Sequence, residues 1–163
     1  EEHRGDRRHR RMCIRARPKG VPNNLIPYIT QTAAGIRKEL SVFGDEYNTP
    51  DGSALRDYMD IVDLARAHVV AVSRMVEGAM KARYEIFNIG TGVPVSVLEL
   101  VNTFEKVNGV KVPHKIVARR AGDVEAVWAD TSLANTELGW KAVRSLDQTL
   151  ASAWAWEKRL RGM

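Results

Sequence analysis

Only one cysteine, Cys13, and four histidines occur among the 163 residues. A single thiol forms no internal disulfide, and the scattered histidines give no zinc spacing, so disulfide and metal scaffolds are excluded. This cysteine usage fits a reducing compartment, the cytoplasm. No run approaches the ~18 uninterrupted apolar residues of a membrane span, and the first twenty residues are arginine-rich where a signal peptide would be apolar. The glycine spacing of a dinucleotide loop is missing too: Gly90-Thr91-Gly92 follows a strand signal, yet position 95 is Val where the third glycine would fall, leaving a tight turn. None of the four tyrosines (Tyr28, Tyr47, Tyr58, Tyr84) has a lysine four residues later, the spacing that sets a phenol base beside an ammonium. There is no nucleophile elbow, and His68, on an apolar helix face, reads as a packing residue. On residues alone, binding outranks catalysis.

The net charge of +5 suggests nucleic acid until it is divided by position. Residues 1–20 hold seven Arg, one Lys, two Glu and one Asp, which accounts for all of it. The remainder carries 17 basic and 17 acidic side chains, so it lacks the footprint a phosphate backbone demands, and no nucleic-acid partner is expected. The segment Glu1–Lys19, with Arg7-Arg8-His9-Arg10-Arg11, has too few apolar residues to offset the entropy of ordering, and reads as a solvated tail.

With 28% charged and 44% hydrophobic residues, the chain has enough apolar side chain for one core of ordinary size. Helix and strand signals alternate from Val21 onward. Asn23 or Asn24 can cap a helix with Leu25, Ile29, Ala33 and Ile36 on one face, and Leu40–Phe43 reads as a strand. Gly44–Ala54 has the Asp, Asn, Pro and Gly density of a surface loop. Asp60 or Asp63 starts a helix through Val76 with Leu64, Ala67, Val70 and Ala71 inward, stopped at Gly78. Tyr84–Ile89 reads as a strand. Ser96 and Glu99 form a capping box for a helix closed by Gly109. Val110–Ala118 is extended, Arg119–Asp123 is a turn, and Ala126–Ala129 is a short strand. Asp130 caps a helix ending before Gly139, and Ser145 with Gln148 boxes a last helix carrying Leu146, Leu150 and Trp154 on one face. The expected fold class is α/β, a small mixed sheet with packed helices rather than a complete doubly wound sheet.

Three polar clusters interrupt the apolar elements: Asn23-Asn24-Leu25 at a helix start, Arg56-Asp57-Tyr58 after the polar loop, and Arg119-Arg120-Ala121-Gly122-Asp123 in one turn. Guanidinium forks match phosphate geometry, and a carboxylate accepts two hydrogen bonds from the vicinal hydroxyls of a ribose. Together they describe a nucleoside diphosphate site.

In order, these residues resemble the C-terminal half of the UDP-glucose 4-epimerases, in the extended short-chain dehydrogenase/reductase superfamily. The resemblance is carried by PNNLIPYI at residues 22–29, LSVFGDEYNTPDGSALRDYMDIVDLARAH at 40–68, then YEIFNIGTGVPVSVLELV, RRAGDVEAVWAD and ELGW. Related dehydratases and decarboxylases of nucleotide sugars usually lack the long Tyr47–Asp51 insertion before Arg-Asp-Tyr. The resemblance runs from about Pro18 to Trp156 and stops abruptly upstream, a boundary of the kind a change of reading frame produces.

The resemblance implies inversion at C4 of UDP-glucose and UDP-galactose with NAD as hydride carrier, a Rossmann half that the residues in hand do not include, and a homodimer for the whole protein. It sets Asn24 and Leu25 against the sugar, diphosphate and uridine, and Ser41 and Phe43 along the uracil. Arg56 and Arg120 neutralise the diphosphate, Asp123 holds ribose hydroxyls, and Tyr58 supports them. Val127 stands where side-chain size decides whether an N-acetyl group fits, so UDP-N-acetylhexosamines are admissible substrates. Residues 20–163 form the UDP-sugar-binding domain, and residues 1–19 fall outside it. The family's glycine-rich loop, catalytic Ser/Thr and Tyr-x-x-x-Lys are missing, so these residues alone should not catalyse. The apolar face meant for the NAD domain should lie exposed. A stand-alone nucleotide-sugar binding module, or a fragment of a related nucleotide-sugar dehydratase or decarboxylase, is the competing reading. Met59-Asp60, where the family reads Ile-His, is a local oddity.

Overall fold

Helix ends fall where side chains and glycines can satisfy the orphan backbone groups, and these ends set the frame. A computed structural model describes Pro22 and residues 24–163; the arginine-rich segment 1–19 and the alternative cap Asn23 lie outside the described residues. Helix α1 spans Leu25–Ala33 after Asn24, whose side chain makes no capping bond. It stops earlier than its apolar spacing suggests: Gly35 adopts φ 72°, and Ile36 is left 49% exposed instead of joining Ile29 in the core. Strand β1 (Leu40–Phe43) alternates strictly, with Leu40 and Val42 buried and Ser41 and Phe43 on the opposite side.

Strand β2 is Leu55–Arg56, followed by helix α2, Ile61–Val76. Asp60 is the cap of α2: its carboxylate accepts from the Val62 amide at 2.7 Å and pairs with Arg144 at 2.9 Å. The Met59-Asp60 departure therefore has a structural role. Strand β3 (Val95–Ser96) runs into helix α3 (Val97–Asn108), closed by left-handed Gly109. Only the Ser96 half of the expected capping box forms, accepting from the Glu99 amide at 3.0 Å, while the Ser96 hydroxyl donates to Asp51. Strands β4 (His114–Val117) and β5 (Ala126–Val127) precede a single π-helical turn, Ala134–Leu138, and helix α4, Leu146–Arg161.

The expected single sheet is in fact two, since strands of two to four residues separated by a polar loop cannot run on into one ladder. Strand β1 pairs in parallel with β4, from Leu40 opposite His114 to Phe43 opposite Val117. In the second sheet β2 lies between antiparallel β3 and parallel β5, with Arg56 opposite Val95 and Val127. The α/β class stands.

Helices α3 and α4 pack together over the first sheet, and Ile29, Leu100, Phe104 and Leu150 are wholly buried there. A second apolar cluster joins Ala67 of α2 to Ala134, Leu138 and Trp140. Asp63, buried in α2, accepts from the Val143 and Arg144 amides at 3.0 and 2.8 Å and ties the clusters together. His68 is exposed, with Nδ1 2.8 Å from the Leu64 carbonyl, so it is not the packing residue its apolar setting suggested. Tyr84–Ile89 forms no strand, because no partner strand lies beside it among the described residues. Among those residues no helix is long and apolar enough to cross a membrane.

Ser145 and Gln148 complete a full capping box on α4, with bonds of 3.2 and 3.1 Å. Ser145→Ala is expected to lower stability by about 1 kcal/mol in urea denaturation, with m unchanged. No measurable change would mean that water replaces the cap.

Candidate functional site

The 44–53 loop fixes where β2 presents Arg56. Gly52 sits at φ 76° with its α-carbon so close to the chain that a Cβ would fall 2.1 Å from the Asp45 carbonyl oxygen. Asp51 accepts from the Ser53 amide and hydroxyl at 2.9 and 2.8 Å, and also from Ser96. Burial opposes its charge, but these bonds outweigh burial and hold its carboxyl below the ordinary range. The Ser53 hydroxyl in turn accepts from the Leu98 amide at 3.1 Å, so hydrogen bonds join the loop before β2 to the start of α3 as one unit.

Beside this unit lies a cavity of about 570 Å³, within the usual size of small-ligand sites. Asn24 and Leu25 reach it from the start of α1, Ser41 and Phe43 from β1, Arg56 from β2, and Arg120 and Asp123 from the turn after β4. Seven of the eight residues selected from sequence thus converge on one space. Val127 does not line it; it stands on β5, half-exposed, opposite Arg56 in the ladder.

Two of the arginines differ in what occupies them. Arg56 donates to Asp123 at 2.6 Å and to the Leu55 carbonyl at 2.7 Å, so it is already oriented. The Arg120 guanidinium stacks 3.7 Å from the centroid of Phe43 and, among the described residues, has no hydrogen-bond partner. Stacking fixes its plane and leaves its N–H fork able to take a phosphate. Arg37 repeats the arrangement over Tyr28 at 4.2 Å while donating to Gln31 at 2.8 Å. Glu39 is matched by Lys115 and Asp123 by Arg56, so the unmatched charge at this cavity is positive.

Sequence reasoning missed Tyr47. It is buried at 4% exposure in the polar loop, its hydroxyl donates to Asp123 at 3.3 Å, and Arg119 stacks on its ring at 4.2 Å. Arg56 and Tyr47 therefore hold one Asp123 oxygen each. An aromatic residue within the Tyr47–Asp51 insertion was the available signal. Tyr58, assigned as support, lines the cavity itself, and burial pushes its hydroxyl up to about 12 against the opposing charge of Arg56, so it remains a hydrogen-bond donor at neutral pH.

The Gly90-Thr91-Gly92 turn does not offer its Thr91 and Gly92 amides to a dinucleotide, because they are taken. The Asp57 carboxylate accepts from the Thr91 amide at 3.0 Å, the Thr91 hydroxyl at 2.6 Å, the Gly92 amide at 3.1 Å and the Ala129 amide at 3.3 Å. A Cβ on Gly90 would lie 2.4 Å from that carboxylate. The turn is an anion nest filled by the protein's own side chain. Among the described residues the likeness to a pyrophosphate loop goes no further, so the residues present do not fit NAD. Nor do they include three clustered His, Cys, Asp or Glu side chains able to hold a metal.

Residues 7–153 match the family described as GDP-mannose 4,6 dehydratase, from within the arginine-rich segment to the middle of α4. The chain belongs to this family. Within the GDP-mannose 4,6 dehydratase family it is 46% identical over 151 residues to the UDP-glucose 4-epimerase of Homo sapiens, covering 93% of this chain and 42% of that protein. The UDP-glucose-4-epimerase from Stenotrophomonas maltophila, solved with bound NAD and formylated UDP-arabinopyranose, superposes with a TM-score of 0.85 at 45% identity, over 90% of this chain and 43% of the other. The Bifidobacterium longum enzyme, in complex with NAD+ and UDP, gives 0.80 at 44% identity, over 87% and 41%. The chain thus spans about two fifths of the length of these relatives and corresponds to their C-terminal half. The resemblance inferred from motifs is borne out.

Proposed function

We propose that residues 20–163 are the UDP-sugar-binding domain of an enzyme that interconverts UDP-glucose and UDP-galactose in the cytoplasm, with residues 1–19 outside that domain. The convergence of Asn24, Leu25, Ser41, Phe43, Arg56, Arg120 and Asp123 on one cavity carries this reading. Phe43 and the β1 backbone at Ser41 take the uracil, and Asn24 with Leu25 borders the sugar and diphosphate. Arg120 takes the diphosphate as the unpaired fork, with Arg56 beside it. Asp123, held by Arg56 and Tyr47, accepts the ribose hydroxyls with its remaining lone pairs.

Among the described residues no general base and nucleophile face each other in the cavity, so on this reading these residues bind and orient. NAD, present in the solved relatives, supplies hydride transfer when bound. Its site belongs to the part of the relatives that these residues do not match. UDP-N-acetylhexosamines are further ligands on this reading, although Val127, whose side-chain size the resemblance invoked for them, does not line the cavity.

Isothermal titration with UDP and UDP-glucose tests the reading. Arg120→Ala is expected to weaken both ligands about 10- to 100-fold, the range for one charge-assisted contact of ~1.5–3 kcal/mol. Equal affinity in the variant would remove Arg120 from the site, and no binding by the folded chain would show that the half-site is not formed on its own.

A further inference from the structure

Tyr47 is buried yet belongs to neither apolar cluster of the described residues. Its ring lies against Gly44, where a Cβ would fall 2.7 Å from Cε2, and under the Arg119 guanidinium at 4.2 Å. The backbone beside it is pinned: the Tyr47 amide donates to the Gly52 carbonyl at 3.0 Å, and the Asn48 amide donates to the Glu125 carboxylate, also at 3.0 Å. Arg119 donates in addition to the Asp123 carbonyl at 3.0 Å, so the 44–53 loop and the 119–125 turn are laced together around one phenol. This enclosure aims the hydroxyl at one partner among the described residues, the Asp123 carboxylate at 3.3 Å. Any aromatic ring would fill the space, but only tyrosine brings a donor to that carboxylate.

The last torsion of an aspartate side chain is soft and roughly two-fold. Arg56 holds Asp123 through one oxygen, at 2.6 Å, and that bond alone leaves the other oxygen free to swing. Tyr47 holds the other oxygen, and two bonds to different oxygens fix the carboxylate plane. A fixed plane matters most for one kind of ligand. Hydroxyls on adjacent carbons present two donors at a set spacing, and a carboxylate accepts both only when its plane faces them, whereas a single hydroxyl is satisfied over a wide range of angles.

We infer that Tyr47 is a positioning residue that makes the site select a ribose over a 2′-deoxyribose, acting through Asp123 and not by contact with the ligand. Tyr47 does not line the cavity, while Asp123 does. The inference rests on the reading in which Asp123 accepts the ribose hydroxyls, and it adds the residue that makes this acceptance selective.

The test is isothermal titration of the full chain and of Tyr47→Phe with UDP and with 2′-deoxy-UDP. The parent chain should bind UDP about 10- to 100-fold more tightly than the deoxy ligand, the range for one hydrogen bond to a charged acceptor. Tyr47→Phe keeps the ring and loses the second hold. It should cut that ratio at least about threefold, by weakening UDP while the deoxy ligand shifts less than about twofold. In an Asp123→Ala background the ratio should be close to about one, and Tyr47→Phe should change it no further. Arg119→Ala, at an exposed residue, strips the cover from the ring and should lower the ratio in the same direction by at least about twofold, which keeps the test open if Tyr47→Phe does not fold. A purely structural role would weaken both ligands alike and leave the ratio where it was. An unchanged ratio in the folded variants would therefore overturn the inference while the UDP site stands. Equal affinity of the parent chain for the two ligands would also overturn it, since Asp123 would then read no 2′ hydroxyl. Failure of the parent chain to bind UDP at all would remove the reading beneath, and the inference with it.

Discussion

Phe104→Ala is expected to remove about 3–5 kcal/mol of unfolding free energy, a large share of the ~5–15 kcal/mol typical of a domain. Phe104 has no exposed surface and lies on α3 where that helix meets α4. Its ring meets Trp154 edge-on, with centroids 5.9 Å apart and planes at 78°, an arrangement worth ~0.5–1.5 kcal/mol beyond area burial. Truncation forfeits both terms and leaves a cavity, because two helices held by Leu100, Val101 and Leu150 cannot close on it without moving. Urea denaturation followed by circular dichroism reads the loss, and Tm should fall by roughly 10 °C. A loss below about 1 kcal/mol would show that the α3–α4 seam repacks freely and is not the main core.

Asp57→Ala should cost about 3 kcal/mol and should also disturb the cavity. The carboxylate gathers the Thr91 amide and hydroxyl and the amides of Gly92 and Ala129, joining three segments at one point. Bonds to a charged acceptor are worth ~1.5–3 kcal/mol each, and donors stripped of it are only partly rehydrated at a half-buried site. Asp57 adjoins Arg56, so slack in this clamp displaces the guanidinium that orients Asp123. Asp57→Asn, which keeps the shape and one acceptor, should recover part of the loss.

The same clamp sets a pH dependence. Burial works against the Asp57 charge, but the bonds from Thr91, Gly92 and Ala129 prevail and leave its carboxyl below the ordinary aspartate value. A depressed carboxyl contributes stability that is fully present above its unfolded value, about 3.9, and is lost as pH falls through the folded value. The parent chain should therefore lose this increment only below about pH 4, and Asp57→Ala should lack that part of the acid limb. Superimposable acid limbs would mean that Asp57 is not the clamp.

Much of this was legible in advance because it is local. Asp60, Ser96 and Ser145 cap their helices, and Gly109 and Gly139 end theirs with left-handed backbone. These outcomes depend on bonds made within one helical turn. What failed was non-local. Ile36 had the right spacing for α1, yet Gly35 turned the chain first. Tyr84–Ile89 had the right alternation, yet a strand exists only through its partner. Tyr47 looked like part of a polar insertion, and its burial against Asp123 depends on a contact 76 residues away.

The sequence alone determined the α/β class, the caps of α2, α3 and α4 and the residue types that line the cavity, since periodicity, capping and side-chain chemistry act over a few residues. The tertiary structure decided that Arg56 is committed to Asp123 while Arg120 stays available, that the glycine turn is filled by Asp57, and that two small sheets replace one. Each is a competition between distant groups for the same hydrogen bonds or the same space, and only folding brings those groups together.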